Sequence, residues 1–593
     1  MPSQELQQLR KVMKENKLQA FLIPNSDPHQ SEYLPEHWRL MPWLTGFDGS
    51  AGNVVVTQDF AGVWTDSRYF IQAAEQLADS GFELMKLKVP HTPEYIEWIT
   101  QNLGEGDKVG VDPRLISAAQ AQRLQSSLKK GHIALTPAPG MLNSLWENRP
   151  ELPQTDIIAH PLMYAGLDRR EKIANLRTAM DNKQSAWYLV TALDELAWLF
   201  NLRGSDIDYN PVFVAFAVVG HQDVILFIDP IKVPEKLKLE LEADGVIIKP
   251  YDQLDDFLGE IPHEETLYFT PSQASWHLTT QWSESQPIAK GDSLIADPKA
   301  RKNHTEIKSL RQVMIRDGVA MVKFLHWLEN EVPGGEVTEV SAAAKLEEFR
   351  GEQPNFVGPS FGTIAGFKGN GAIVHYSAKE DTCATLSAEG LFLLDSGGQY
   401  LDGTTDITRT IALGKPTPQE RRDYTLVLKG NIALDQAVFP QGTAGHQLDI
   451  LARHPLWKSH QNYGHGTGHG VGFFLNVHEG PQRISPSASA THPLQPGMVT
   501  SNEPGIYHEG AYGIRIENLI LCVKAGTHDT FGEFLEFETL TLCPLDLKLI
   551  DSNLLTATEK DWINQYHRLT FEAISPHLSP SELEWLENQT QPI

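Results

Sequence analysis

Cysteine is scarce: three in 593 residues, at Cys383, Cys522 and Cys543. So few thiols give no disulfide framework and point to a reducing compartment. Positive charge is also in short supply. Lys and Arg number 49 against 76 Asp and Glu, a formal net charge of −27. Such a surface repels nucleic-acid phosphates and anionic lipids, so neither nucleic acid nor membrane is an expected partner. No uninterrupted apolar run reaches the roughly 20 residues of a membrane span. The N-terminal MPSQELQQLRKVMKENKLQAFLIP lacks the apolar core of a signal peptide and reads as an amphipathic helix followed by a strand. No low-complexity segment occurs. The expected location is cytoplasmic.

What is present is an ordinary globular composition, 41% hydrophobic and 21% charged, in a chain too long for one core. The first stretch alternates helices and strands: a strand near 20–23, two more at 52–57 and 62–65, a helix from about 67, then strands at 84–89 and 108–111. It closes near the proline-punctuated ENRPELPQTD. The next stretch repeats the pattern, with a helix over 167–183 and a strand over 186–190. Trp43-Leu44 and Trp198-Leu199 stand in equivalent contexts 155 residues apart. That offset is about one domain length, so a duplicated α/β unit is expected. From about 302 the pattern changes to a long amphipathic helix, with Ile307, Leu310, Met314, Met321 and Leu325 at helical spacings. It ends before Pro333-Gly334-Gly335. A second helix is expected over 340–350, two more over 419–438 and 444–453, and two in the tail near 557–575 and 581–588. The expected division is 1–155, 156–302 and 303–593, with a C-terminal extension from about 544.

The chemistry concentrates between 375 and 517. NYGHGTGHGVGFFLNVHEG, residues 462–480, packs three histidines (His465, His469, His478) among six glycines. His465 and His469 have helical spacing, but each glycine costs a helix interior roughly 1 kcal/mol against alanine. The segment reads as a glycine-rich loop entering a short strand, with backbone free to approach a ligand closely. Two hairpins bring acids towards it. LFLLDSGGQYLDGTTDITRTIAL carries Asp395 and Asp406 on strands facing each other, with Asp402 in the turn. MVTSNEPGIYHEGAYGIRIENLILC carries Glu503 at the end of one strand and Glu517 on a return strand over 513–522. Four carboxylates on apolar strands are costly unless paired or metal-bound. With His469 they form an oxygen-rich set suited to two divalent ions such as Mn²⁺, Co²⁺ or Zn²⁺. The competing reading is that Arg409 and Arg515 neutralise the acids.

The five positions Asp395, Asp406, His469, Glu503 and Glu517, set in GTTDITRT, HGTGHGVG, NEPGIY and GIRIEN, closely resemble the pita-bread metallopeptidases. That family includes methionine aminopeptidase, prolidase and aminopeptidase P. Within it the chain is most similar to the three-domain, cytosolic-type Xaa-Pro aminopeptidases. The likeness extends over LTGFDGSAG and WTDSRYF, NLRGSDIDYNPVF, IVHYSA and PLDLKLIDSNLLTATEKDWINQYH. It implies two creatinase-like α/β domains followed by a pita-bread catalytic domain.

The resemblance also implies the roles. Asp406 and Glu517 would bridge two ions, commonly manganese. His469 and Glu503 would complete one site and Asp395 the other. A hydroxide held between the cations would attack the carbonyl before proline, with Glu503 as proton acceptor and later donor. His478 would stabilise the tetrahedral intermediate, His375 would hydrogen-bond the substrate, and His465 would line the proline side of the cleft. The implied partners are proline-containing peptides and a second copy of the chain, in a homodimer. Prolidase, which splits X-Pro dipeptides with the same ligands, is the nearest rival, but its relatives usually carry one N-terminal unit. Catalytically inactive peptide-binding relatives lose the ligands, and all five are present here.

Overall fold

The computed structural model describes residues 3–88 and 93–593. The chain forms two compact units: one of Met1–His160 with Leu167–Ile295, the other of Pro161–Gly166 with Ala296–Ile593.

The first unit contains the expected repeat. One six-stranded sheet runs, edge to edge, Glu83–Lys86, Ala61–Thr65, Asn53–Thr57, Ala20–Pro24, Lys108–Val111 and Ala134–Pro137. The other runs Val246–Lys249, Val224–Phe227, Phe216–Gly220, Trp187–Val190, Leu267–Phe269 and Ile288–Lys290. Strand directions agree at every junction: parallel, antiparallel, antiparallel, parallel, parallel. Trp43-Leu44 and Trp198-Leu199 fall on matching short helices, Leu40–Thr45 and Leu193–Phe200, each ended by a left-handed residue, Gly46 or Asn201. The strands expected at 52–57 and 62–65 are present within a residue. The helix expected from about 67 starts at Phe70, because Asp66 first binds Arg68 and fixes a turn. The strand expected over 84–89 is Glu83–Lys86, and Val89 lies outside the described residues.

The second unit is framed by helix His304–Glu331. It starts sharply because the Asn303 side chain accepts the amides of Thr305 and Glu306, while the Glu306 carboxylate takes the Asn303 amide, a reciprocal cap worth about 1 kcal/mol. Its apolar stripe, including Leu310, Met314, Met321 and Leu325, is buried. Against this frame stand two antiparallel sheets. One comprises Ile364–Phe367, Leu391–Ser396 and Ile407–Ala412; the other comprises Phe439–Pro440, Gly532–Thr539, Asn518–His528 and Val499–Asn502. Helices Pro418–Asp435 and Gly445–Trp457 pack together beside them, and Ala557–Ile574 and Pro580–Gln589 form the tail. Among the described residues no helix is long and apolar enough to cross a membrane.

Candidate metal centre

The two expected acid hairpins exist, with one difference each. Leu391–Ser396 pairs with Ile407–Ala412, so Asp395 lies opposite Thr408, and Asp406 sits one residue before the second strand rather than within it. The return strand expected over 513–522 is broken at 516–517. Tyr512–Arg515 pairs with Gly505–His508, and Asn518–His528 pairs with Val499–Asn502. Glu503 and Glu517 therefore occupy the two gaps between these ribbons. A carboxylate that leaves the ladder there is free to turn inward.

The histidine–glycine stretch is mostly loop, with a two-residue strand, Gly468–His469, paired to Arg483–Ile484. Its glycines answer close packing. A Cβ on Gly468 would stand 1.9 Å from the Ser501 carbonyl oxygen, and one on Gly470 would stand 2.0 Å from that of Glu479. Only a residue without a side chain lets the backbone come so near, and this approach carries His469 to the acids.

The structure brings Asp406, His469 and Glu517 together, each offering a donor atom within 4.8 Å of the others. His469 Nδ1 donates to the Gly470 carbonyl at 3.0 Å, which turns Nε2 to Asp406 at 3.4 Å and Glu503 at 3.6 Å. The Thr408 hydroxyl donates to Glu517 at 2.9 Å, and the Ser501 hydroxyl to Glu503 at 3.1 Å. Asp395 joins through Arg515, whose guanidinium stands 2.7 Å from one carboxylate oxygen. The other oxygen, Oδ1, is buried without a hydrogen-bond partner. Of the further histidines, His478 packs edge-on to His469 with ring centroids 4.3 Å apart. His465 binds the Tyr507 hydroxyl at 2.8 Å and stands 4.0 Å from Glu503. His375 is half-buried, next to Val374, whose carbonyl lies 3.5 Å from Arg515. Thr408, Ser501 and Tyr507 all lie in or beside the motifs, yet nothing in their residue type marked them as partners of the acids.

Four acids face one guanidinium. Burial, and then the charges of Asp406 and Glu503, push the Glu517 carboxyl well above the usual range. Burial raises Glu503 to about 7 despite His469 and Arg515, and raises Asp395 despite Arg515. Burial would lower His469, but the bond to Asp406 and the charge of Glu503 lift it to about 9. The alternative of neutralising arginines holds only for Arg515 and Asp395 and fails for Arg409. Arg409 spends its donors on the carbonyls of Thr408, Glu517, Cys543 and Pro544, on Asn518 and on Tyr566. Buried carboxyls pushed up by burial and by neighbouring charge, with an orphaned oxygen beside them, fit divalent cations, which would take the free lone pairs. Oxygen donors with one imidazole suit Mn²⁺, Co²⁺ or Zn²⁺.

Comparison with known proteins agrees with this geometry. The model of metallopeptidase family M24 matches residues 308–524, and its C-terminal region matches 533–593. Two models of the creatinase/prolidase N-terminal domain match 5–145 and 148–306. A probable Xaa-Pro aminopeptidase P of Paracoccidioides brasiliensis is 44% identical, over 100% of this chain and 99% of its own. A second, from Talaromyces marneffei, is 42% identical over 100% of this chain and 92% of its own. The crystal structure of an X-prolyl aminopeptidase from Caenorhabditis elegans, described as a cytosolic enzyme with a di-nuclear active site, superposes with a TM-score of 0.95 at 35% identity, covering 99% of both chains. Full-length likeness at this level, joined to the cluster of acids and imidazole, makes the chain a member of metallopeptidase family M24, in the group of the Xaa-Pro aminopeptidases P.

Proposed function

We propose that the protein is a metal-dependent aminopeptidase that removes the N-terminal residue from peptides with proline in second position. The observation that carries this reading is the convergence of Asp406, His469, Glu503 and Glu517, with Asp395 beside them, in a site short of positive charge. The relatives' names and the di-nuclear site of the nematode enzyme support it. We read the chain as three domains, 1–155, 156–302 and 303–593 with its extension from about 544; the repeated sheets support the first division. We place the enzyme in the cytoplasm, as the nematode relative is described, and take it as a homodimer on the family resemblance.

Asp395, Asp406, His469, Glu503 and Glu517 would hold two divalent cations, manganese in the first instance, with Asp406 and Glu517 the shared pair. Such cations supply Lewis-acid polarisation of a carbonyl and acidify water. The chain's own residues do the rest. Glu503 takes a proton and later returns it. His478, beside His469, donates to the oxyanion that develops on the scissile carbonyl. His375 hydrogen-bonds the substrate, and His465, fixed by Tyr507, borders the proline ring. An X–Pro bond is a tertiary amide with no N–H, so a site selecting it needs shape against the ring rather than an amide acceptor.

Metal-loaded protein offered Arg-Pro-Pro and Arg-Pro tests the reading. Release of arginine from the tripeptide with the higher kcat/KM is the expected result. Rapid cleavage of the dipeptide with the tripeptide left intact would make the protein a prolidase with an extra domain.

A further inference from the structure

Helix Gly445–Trp457 places Asp449 and Arg453 four residues apart on one face, and both side chains are buried. A buried guanidinium has five N–H groups to satisfy. Arg453 satisfies all five. Nε and Nη2 donate to the Asp449 carboxylate at 2.7 and 3.3 Å. Nη1 donates to the Asn462 side chain at 3.1 Å and the Tyr463 carbonyl at 2.7 Å. The last donor goes to the carbonyl of His465 at 2.7 Å. The guanidinium also lies 3.9 Å from the centre of the Tyr463 ring, a close cation–π contact.

The contacts continue towards the reacting groups. The Asp449 carboxylate accepts the Thr467 hydroxyl at 2.6 Å, and that oxygen stands 2.6 Å from the Tyr463 hydroxyl. The Thr467 carbonyl accepts the backbone N–H of Glu503 at 2.8 Å. One ion pair thus holds the chain on both sides of Gly464, grips the backbone of His465 itself, and reaches the main chain at Glu503. The loop needs such a hold. Glycines at 464, 466, 468 and 470 leave it no conformation of its own, and its neighbours must remove that freedom.

We propose that Arg453, oriented by Asp449, is a positioning residue for the proline-directed reaction: it latches the backbone at residues 463 and 465 and so sets where His465 stands against Glu503. The proposal rests on the functional reading above, since His465 matters through the proline side of the cleft. The latch acts on the geometry of the loop and supplies no ligand to the cations.

Arg453→Lys keeps the charge but exchanges a rigid five-donor fork for three rotatable donors, so it cannot reach both carbonyls and the carboxylate at once. In the full-length, metal-loaded protein, the variant is expected to keep the wild-type metal content while kcat on an X-Pro-Pro peptide falls by about 10- to 100-fold, the scale of an ångström-sized misplacement. In a His465→Ala background the same substitution is expected to cost less than about threefold, because residues acting through one another are not additive. A crystal structure of Arg453→Lys should show residues 463–465 displaced with Asp406 and His469 unmoved. If Arg453→Lys fails to fold, Asp449→Asn, which keeps the shape of the carboxylate, takes its place in the same cycle. Equal losses with and without His465, or an unmoved loop, overturn the latch. Wild-type protein that leaves X-Pro-Pro peptides intact would sink the functional reading instead, and the loop displacement still judges the latch.

Discussion

Two groups of buried acids in the second unit are treated in opposite ways. Glu479 is fully buried between two buried lysines, Lys299 at 2.7 Å and Lys302 at 2.5 Å. Asp317 is likewise met by Arg350 at 2.8 Å and the Tyr400 hydroxyl at 3.0 Å. Ten residues before Glu479 the balance reverses: around His469, four carboxylates share the guanidinium of Arg515. A buried carboxylate must be answered by a cation, by hydrogen bonds or by a proton. Where the chain supplies the cations, the acid is part of the framework. Where it withholds them, the acids are left short of positive charge, as a site for cations from outside would be. Burial alone does not separate the two; the local count of positive charge does.

The sharpest break of this comparison is to remove an acid from each group. Asp406→Asn or Glu517→Gln is expected to lose both metals and lower activity by roughly 10³-fold or more, since every contribution of the cations goes with them. Metal-free Glu517→Gln should nevertheless be about as stable as metal-free wild type, because a carboxyl pushed well above its usual range has little charge to lose. Elemental analysis with thermal melts in chelator checks both, and wild-type metal content in either variant would remove it from the ligand set. Glu479→Ala should do the reverse, taking the buried carboxylate from between Lys299 and Lys302 at a cost of about 3–5 kcal/mol. An unchanged denaturation midpoint would show that this triad is not structural.

A residue beside the acids but outside the ligand set should separate chemistry from metal binding. His478→Ala is expected to keep the metals while kcat falls on the order of 10²–10³-fold. Metal loss in step with activity would make His478 a ligand.

The smallest expected effect lies in a buried base. His567 is fully buried and accepts the Leu545 amide on Nε2 at 3.1 Å. Burial, helped by Arg409, lowers its pKa to about 4. The folded state therefore resists protonation that the unfolded chain accepts near 6.5. This contribution is complete above pH 6.5 and is lost as the pH falls towards 4, up to about 3 kcal/mol at 1.36 kcal/mol per pH unit. His567→Gln should flatten the fall of Tm between pH 6.5 and 4. An equally steep fall in the variant would assign the acid sensitivity to other groups.

Much of this was legible in the sequence because it is written in local patterns. Period and punctuation located helix His304–Glu331, most strands of the first sheet and one strand, Trp187–Val190, of the second. The four acids and the imidazole stood out because such residues are rare on apolar strands. The register was less legible. Asp406 one residue before its strand, and Glu517 in a break between ribbons, depend on how neighbouring strands pair, which no local signal encodes.

The sequence by itself determined the inventory: a surplus of acids, two α/β repeats, a glycine-rich loop carrying histidines, and enough apolar periodicity to bury them. Only the tertiary structure decided which acid meets which cation. Arg409 and Arg515 look alike in sequence, but Arg515 pairs with Asp395 while Arg409 turns to carbonyls more than a hundred residues away in the chain. The reason is range. A guanidinium is committed within about 3 Å, and the groups that compete for it are brought there by strand pairing and helix packing rather than by neighbouring sequence.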